Sequence, residues 1–307
     1  MKQMSKKIIF FGNERLATGV TTKNPVMNRL IEEGYEIDCL ILNQDSYNSR
    51  KLRTVEAEEF AIKNNIKVFK PSSIDDVKEI VSKSDCKIAV LVAYGKLIPE
   101  SVIEMFPLGI INIHPSLLPK KRGSTPIEQT ILDGDKLSGV SLMKLTKGMD
   151  SGPIYDQVKI KLSGNESKQE LSEIMNLTGA ELLIKNLPDI INGIIQPHEQ
   201  STEGITITKQ ISKNDGLMDW NQSSEMIERK SRAFKDWPKL KTNIFHQNVV
   251  IEEVVVREPT KLKAGDIISD KDSLIIATSD NGIEIISLRP ENKNSMTAKA
   301  FIAGYKK

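Results

Sequence analysis

Lys87-Ile88-Ala89-Val90-Leu91-Val92-Ala93, followed by Gly109-Ile110-Ile111-Asn112-Ile113-His114, decides the fold class. The first run is apolar on both sides of the alternation a strand imposes, the signature of a strand buried on both faces of a parallel sheet. The second reads as another strand, broken at its end by Asn112 and His114. Working outward, Ile8–Phe11, Tyr35–Leu42 and Ile66–Phe69 are further strand candidates. Between them, Pro25–Glu33, Glu56–Asn64 and Ile74–Ser82 carry helical spacing. Downstream come a short helix at Pro126–Asp133, a strand at Val140–Leu145 and a long helical stretch over 167–193, which Pro188 is expected to kink or end. Strands alternating with helices predict an α/β domain around a mostly parallel sheet.

The pattern changes after Gln196–Gly204, a polar stretch without periodicity that reads as a linker. A helix is expected at 224–235. Short strand candidates then follow at Asn248–Val256, Gly265–Ile268, Leu274–Thr278 and Gly282–Leu288, with Asp280-Asn281-Gly282 as a hairpin turn. Closely spaced short strands suggest a small all-β barrel or sandwich. The expected organisation is a catalytic domain at 1–190, a linker at 191–206 and a β domain at 207–307.

Bulk properties exclude more than they assert. The 307 residues are 39% hydrophobic and 27% charged, an ordinary globular balance. The longest apolar run falls well short of the roughly 20 residues that a bilayer span requires, so a cytoplasmic protein without membrane contact is expected. Residues 205–307 hold 17 Lys and Arg against 14 Asp and Glu, too even to predict nucleic-acid binding from charge alone. Cys39 and Cys86 sit in apolar runs without metal-type spacing and read as buried thiols.

Three clusters bear on chemistry. The turn Gly12-Asn13-Glu14-Arg15 follows the first strand but lacks the glycines of a dinucleotide fingerprint, and Glu14 sets a negative charge where a phosphate would sit. The second cluster is Asn112-Ile113-His114-Pro115-Ser116-Leu117-Leu118-Pro119-Lys120-Lys121-Arg122-Gly123. Alternation points Asn112 and His114 the same way, at the carboxyl end of a strand, where ligands of open α/β sheets gather. The chain holds three histidines and does not group them with acids or cysteines, so we expect no metal. Alone, His114 reads first as a buried histidine satisfied by a backbone carbonyl. The third cluster, Gly148-Met149-Asp150-Ser151-Gly152-Pro153, alone reads as a turn.

Together, these pieces resemble the folate-dependent formyltransferases: Asn-x-His-Pro-Ser-Leu-Leu-Pro-x-x-Arg-Gly, then Gly134-Asp135, Ser138–Met143 and Met149-Asp150-Ser151-Gly152. Val92-Ala93-Tyr94-Gly95-Lys96-Leu97-Ile98-Pro99 is similar to that family's folate-pocket loop. Lys213–Trp220 and Arg232–Pro238 resemble the segment and helix that follow the catalytic domain in the branch acting on initiator methionyl-tRNA. The resemblance spans about residues 7 to 304. It implies a Rossmann-like catalytic domain, an OB-like C-terminal barrel that binds tRNA, 10-formyltetrahydrofolate as formyl donor, initiator methionyl-tRNA as acceptor, and a monomer. A nucleotide-sugar amine is the alternative acceptor. The site carried over is Asn112, His114 and Asp150 for catalysis. Val92, Ala93, Tyr94, Gly95, Ile98, Ser116, Leu117, Leu118, Pro119 and Gly148 are expected around folate. Arg50, Lys51, Arg53 and Arg122 are candidate tRNA contacts. In this reading Asn112 and His114 donate to an oxyanion, while Asp150 accepts from and orients His114. The chain departs from the family where Gly12-Asn13-Glu14 replaces the usual Gly-Thr-Pro, and where the basic loop is shortened to Asn43–Thr54.

Overall fold

The computed structural model describes residues 6–43, 55–259 and 261–306. The chain divides into two compact units. One comprises Met1–Ile127, Lys136–Ser163 and Gln169–Lys209; the other comprises Glu128–Asp135, Gly164–Lys168 and Gln210–Lys307.

The first part of the chain runs β1 (Lys7–Gly12), α1 (Pro25–Glu32), β2 (Glu36–Ile41), α2 (Glu56–Lys63), β3 (Lys67–Phe69), α3 (Ile74–Ser82), β4 (Ala89–Val92), α4 (Glu100–Ile103), β5 (Ile110–His114), α5 (Pro126–Asp133), β6 (Leu137–Lys144), β7 (Ile154–Lys161) and α6 (Lys168–Ile191). Among the described residues its strands form a seven-stranded sheet in the order β3-β2-β1-β4-β5-β6-β7. Strands β1 to β5 pair in parallel, and β6 and β7 are antiparallel additions. The order reverses direction between β1 and β4, so the carboxyl ends of these strands and of neighbouring β5 open the crevice where α/β sheets bind ligands. As the apolar runs require, β4 is wholly buried, and Ile8 through Phe11 of β1 have no exposed surface. Cys39 and Cys86 lie in one apolar cluster with Phe11 and Tyr94, and burial pushes the Cys39 thiol up to about 12.

Alternation along β5 separates two jobs. Ile113 points away from Asn112 and His114 and packs against Gly179 of α6; a Cβ on that glycine would come within 2.6 Å of the Ile113 side chain. The helix closes the far face of the sheet while the near face keeps the polar pair. Pro188 does not end α6, which continues to Ile191. It falls in the last turn, where the ring forfeits one backbone bond and little helix remains to be disturbed.

Two features escaped the sequence reading. Strand β7 is an edge strand whose residues are mostly half-buried, so its apolar contrast is weak. The stretch 191–206, expected as a linker, belongs to the first unit. Ile154 and His198 exchange backbone hydrogen bonds of 2.8 and 2.9 Å; Arg122 donates to Thr206 and accepts from Thr208 at 2.9 and 2.7 Å. Backbone pairing of this kind leaves no side-chain periodicity to read.

The turn after β1 also resolves differently from a phosphate loop. Glu14 is fully buried, and its carboxylate accepts from the backbone N–H groups of Val26 and Met27, each at 2.9 Å, in the first turn of α1. A carboxyl group of the chain itself thus occupies the place at this helix N-terminus where a bound phosphate would sit. Burial raises the Glu14 pKa to about 7 against the pull of these two N–H groups. The folded chain holds the proton above the ordinary value of 4.5, whereas the unfolded chain releases it there. The stability contribution is therefore complete below that value and lost as pH rises toward 7, by up to about 3 kcal/mol. Urea unfolding of wild type and Glu14→Gln across this window is expected to show the wild type losing ground to the variant with rising pH. A constant difference refutes the assignment.

The second unit carries α7 (Ser224–Ala233), β8 (Leu240–Ile244), β9 (Gln247–Arg257), β10 (Ile267–Ser269), β11 (Leu274–Ala277), β12 (Gly282–Pro290), β13 (Met296–Thr297) and α8 (Ala298–Tyr305). Its strands make an antiparallel half-barrel in the order β10-β11-β12-β9-β8, with β13 pairing β12. Helix α8 follows β13 directly. It begins where the Thr297 side chain accepts from the Ala300 N–H, and it buries Phe301 between the rings of Phe245 and Tyr305.

Candidate active site

Strand β5 delivers Asn112 and His114 at 6% and 5% exposure, and the turn between β6 and β7 brings Asp150 to them. The His114 Nε2 lies 3.0 Å from the Lys121 carbonyl oxygen, and Nδ1 lies 3.7 Å from Asp150 Oδ2. Both ring nitrogens thus face acceptor oxygens. The carbonyl partner is the one that the structural reading of a buried histidine anticipated, and it fixes the ring plane. The separation from Asp150 exceeds a direct hydrogen bond, so the expected hydrogen bond from His114 to Asp150 is not made at this distance. The Asn112 Nδ2 meets Asp150 Oδ1 only at 3.5 Å. Two donor positions and one carboxylate therefore converge without closing on one another. Asp150 is held firmly elsewhere: Gly123 N–H donates to its Oδ2 at 2.8 Å.

The loop 115–123 is pinned by polar side chains that the sequence reading did not single out. The Ser141 hydroxyl donates to the Ser116 carbonyl at 2.6 Å and accepts from the Leu118 N–H at 3.0 Å. Gln157 Nε2 reaches both the Leu118 carbonyl and Ser141 Oγ, at 2.9 and 2.7 Å. These pins separate the expected folate residues into two groups. Ser116 is buried with its hydroxyl bound to the Lys120 carbonyl, and Leu118 packs with Met143 and Ile154 beside the cis peptide to Pro119. Leu117 lies against Gly139. These four residues shape the loop from within. The second group follows β4: Val92 ends the strand, Ala93 and Gly95 take left-handed backbone at φ of 52° and 77°, and Tyr94 sets its ring edge-on to Phe11. Tyr94 and Ile98 help line a groove of about 260 Å³ whose other wall runs from Pro71 to Val77. Gly148 abuts the Ser151 side chain in the Asp150 turn.

Of the candidate tRNA contacts, Arg50, Lys51 and Arg53 lie outside the described residues. Arg122 is described, and its guanidinium is turned inward. Nε and Nη2 donate to Gln200 Oε1 at 3.1 and 2.7 Å, and Gln200 Nε2 donates to the carbonyls of Asp150 and Gly152 at 2.8 Å each. Gln200 lies in the stretch read as a linker, where nothing local marks it. Among the described residues no group of three or more His, Cys, Asp or Glu is placed to hold a metal ion.

This geometry is accompanied by close relatives. The formyl transferase profile matches residues 6–187, and the formyl transferase C-terminal domain profile matches residues 210–306. The chain therefore belongs to the formyl transferase family. Within it, a methionyl-tRNA formyltransferase of Thermodesulfovibrio yellowstonii is 34% identical, over 99% of this chain and 97% of the relative. One of Bacillus cereus is 31% identical, over 98% and 96%. These identities place the chain among the methionyl-tRNA formyltransferases. The fold is shared with HypX of Aquifex aeolicus in complex with tetrahydrofolic acid, at a TM-score of 0.68 and 16% identity; the match covers 98% of this chain and 47% of that one, so this chain spans about half of HypX. It is also shared with an N-formyltransferase of Helicobacter canadensis in complex with folinic acid and dTDP-3-aminofucose, at 0.67 and 20%, over 92% and 99%.

Proposed function

We propose that the protein transfers the formyl group of 10-formyltetrahydrofolate to the amino group of methionine on initiator methionyl-tRNA, as a cytoplasmic monomer. The observation that carries this reading is 34% identity to a methionyl-tRNA formyltransferase over 99% of the chain, the C-terminal unit included. The site's donor set suits the chemistry. When an amine attacks a formyl carbon, a C–N bond forms, the bond to the folate nitrogen breaks, and a proton passes from amine to that nitrogen. Charge builds on the formyl oxygen meanwhile. Asn112 Nδ2 is one donor positioned for it, and His114 Nδ1 is the second when the ring carries hydrogen on both nitrogens, since Nε2 faces the Lys121 carbonyl. Asp150, between 3.5 and 3.7 Å from both, leaves room for an amine or a water and is the group that holds the migrating proton. Backbone groups exposed by the left-handed Ala93 and Gly95 suit the folate ring, and residues 207–307 supply the surface for tRNA. Arg122 serves the site loop rather than a phosphate.

The test is direct. Purified protein with 10-formyltetrahydrofolate is expected to formylate charged initiator tRNA and to leave a nucleotide amino sugar untouched. Transfer to the amino sugar alone overturns the acceptor; no transfer to either overturns the reaction.

A further inference from the structure

We propose that Gln200 is a positioning residue for formyl transfer, holding the Asp150 turn in its working shape. This rests on the reading of Asp150 as a catalytic group. The turn does not hold itself. Asp150 sits in left-handed backbone at φ 47°, a region that L residues with side chains avoid, and the bond closing the turn, Ser151 N–H to the Gly148 carbonyl, is long at 3.5 Å. Its far end is anchored, because Lys144 N–H donates to the Pro153 carbonyl at 2.8 Å. Its near end is anchored by Leu145 N–H on the Ile110 carbonyl at 2.8 Å, whereas the backbone of Asp150 and Gly152 between these anchors is gripped by one side chain. Both N–H donors of the Gln200 amide are used, one on the Asp150 carbonyl and one on the Gly152 carbonyl.

The direction of that amide is fixed by charge. The forked Nε and Nη2 of Arg122 both donate to Gln200 Oε1. A flipped amide would oppose NH₂ to guanidinium and oxygen to two carbonyl oxygens, so only the observed orientation is satisfied. Arg122 immediately precedes Gly123, whose N–H holds the Asp150 carboxylate. The result is a closed ring of contacts. The carboxylate is gripped through Gly123, and the backbone of the same residue is gripped through Arg122 and Gln200. The segment bearing Gln200 is itself pinned on both sides, by His198 to Ile154 and by Thr206 and Thr208 to Arg122. Catalytic groups need placement to within about 0.5 Å, and displacement of about 1 Å is enough to cost on the order of 10²-fold in rate.

The experiment measures kcat and both KM values for formyl transfer to initiator methionyl-tRNA in Gln200→Ala, Gln200→Glu, Asp150→Asn and the double variant Asp150→Asn with Gln200→Ala. Thermal melting follows folding. Gln200→Glu keeps the size of the side chain and the Arg122 contact but turns an oxygen toward two carbonyls, so it carries the test if Gln200→Ala fails to fold. We expect kcat to fall about 10- to 100-fold in each Gln200 variant, with both KM values within about twofold. In the double variant, turnover is expected to match Asp150→Asn alone, because Gln200 has nothing left to position. Wild-type kcat in a folded Gln200→Glu beside a strongly impaired Asp150→Asn overturns the role of Gln200 only. Losses that multiply in the double variant overturn it too. A fully active Asp150→Asn overturns the reading of Asp150 and this role with it.

Discussion

Alanine at His114 or at Asn112 is expected to lower formyl-transfer turnover by about 10²–10³-fold, the usual effect of removing one donor aimed at a developing oxyanion. The two substitutions differ in what else they disturb. Among the described residues the Asn112 side chain makes only the long hydrogen bond to Asp150, so Asn112→Ala breaks no strong bond there. His114→Ala removes a buried hydrogen bond to the Lys121 carbonyl and is expected to cost about 1 kcal/mol of stability as well. Single-turnover transfer at saturating donor and tRNA separates the losses, because a folded but destabilised enzyme shows a lower melting temperature and not a slower chemical step. Since both donors act on one oxygen, the double variant is expected to lose less than the product of the single losses. Retention of more than about a tenth of wild-type turnover in His114→Ala removes the oxyanion role from that ring.

The location of these two residues was legible because it follows from elementary geometry. A buried apolar run beside a strand ending in polar residues places those residues at a sheet's carboxyl edge, and alternation puts Ile113 on the opposite face against Gly179. Asp150 was legible only in company, since a turn of Asp, Ser and Gly has a sufficient local explanation. What holds the turn was not legible. Gln200, Ser141 and Gln157 act through hydrogen bonds between segments far apart in sequence, and no period or spacing records such contacts. The same cause hid the 191–206 stretch, whose anchors are backbone pairs at Ile154 and Arg122. Glu14 shows a subtler limit. The sequence places an acidic residue where a phosphate would sit, but no spacing records that its carboxyl group takes the helix N–H groups itself.

Gly12→Ala is expected to be the most damaging small substitution near the site. Gly12 adopts φ +107°, and a Cβ there would lie 1.9 Å from the Val92 carbonyl oxygen and 2.8 Å from its carbon. Neither atom belongs to a flexible side chain, so backbone must move. Strained backbone costs about 1–3 kcal/mol and forced overpacking about as much again, giving a loss of about 2–6 kcal/mol. The displacement falls on Val92 and Ala93, where β4 turns into the left-handed loop proposed to receive folate. Stability and ligand binding should therefore fail together. Gly304→Ala is the control: it lies in α8 with nothing within 4 Å of its added carbon, and it should be neutral or stabilising by up to about 1 kcal/mol. Urea unfolding measures the first effect, and titration with tetrahydrofolate measures the second. If Gly12→Ala loses less than about 1 kcal/mol and binds tetrahydrofolate as wild type does, the close approach of β1 to the end of β4 is not what shapes that loop.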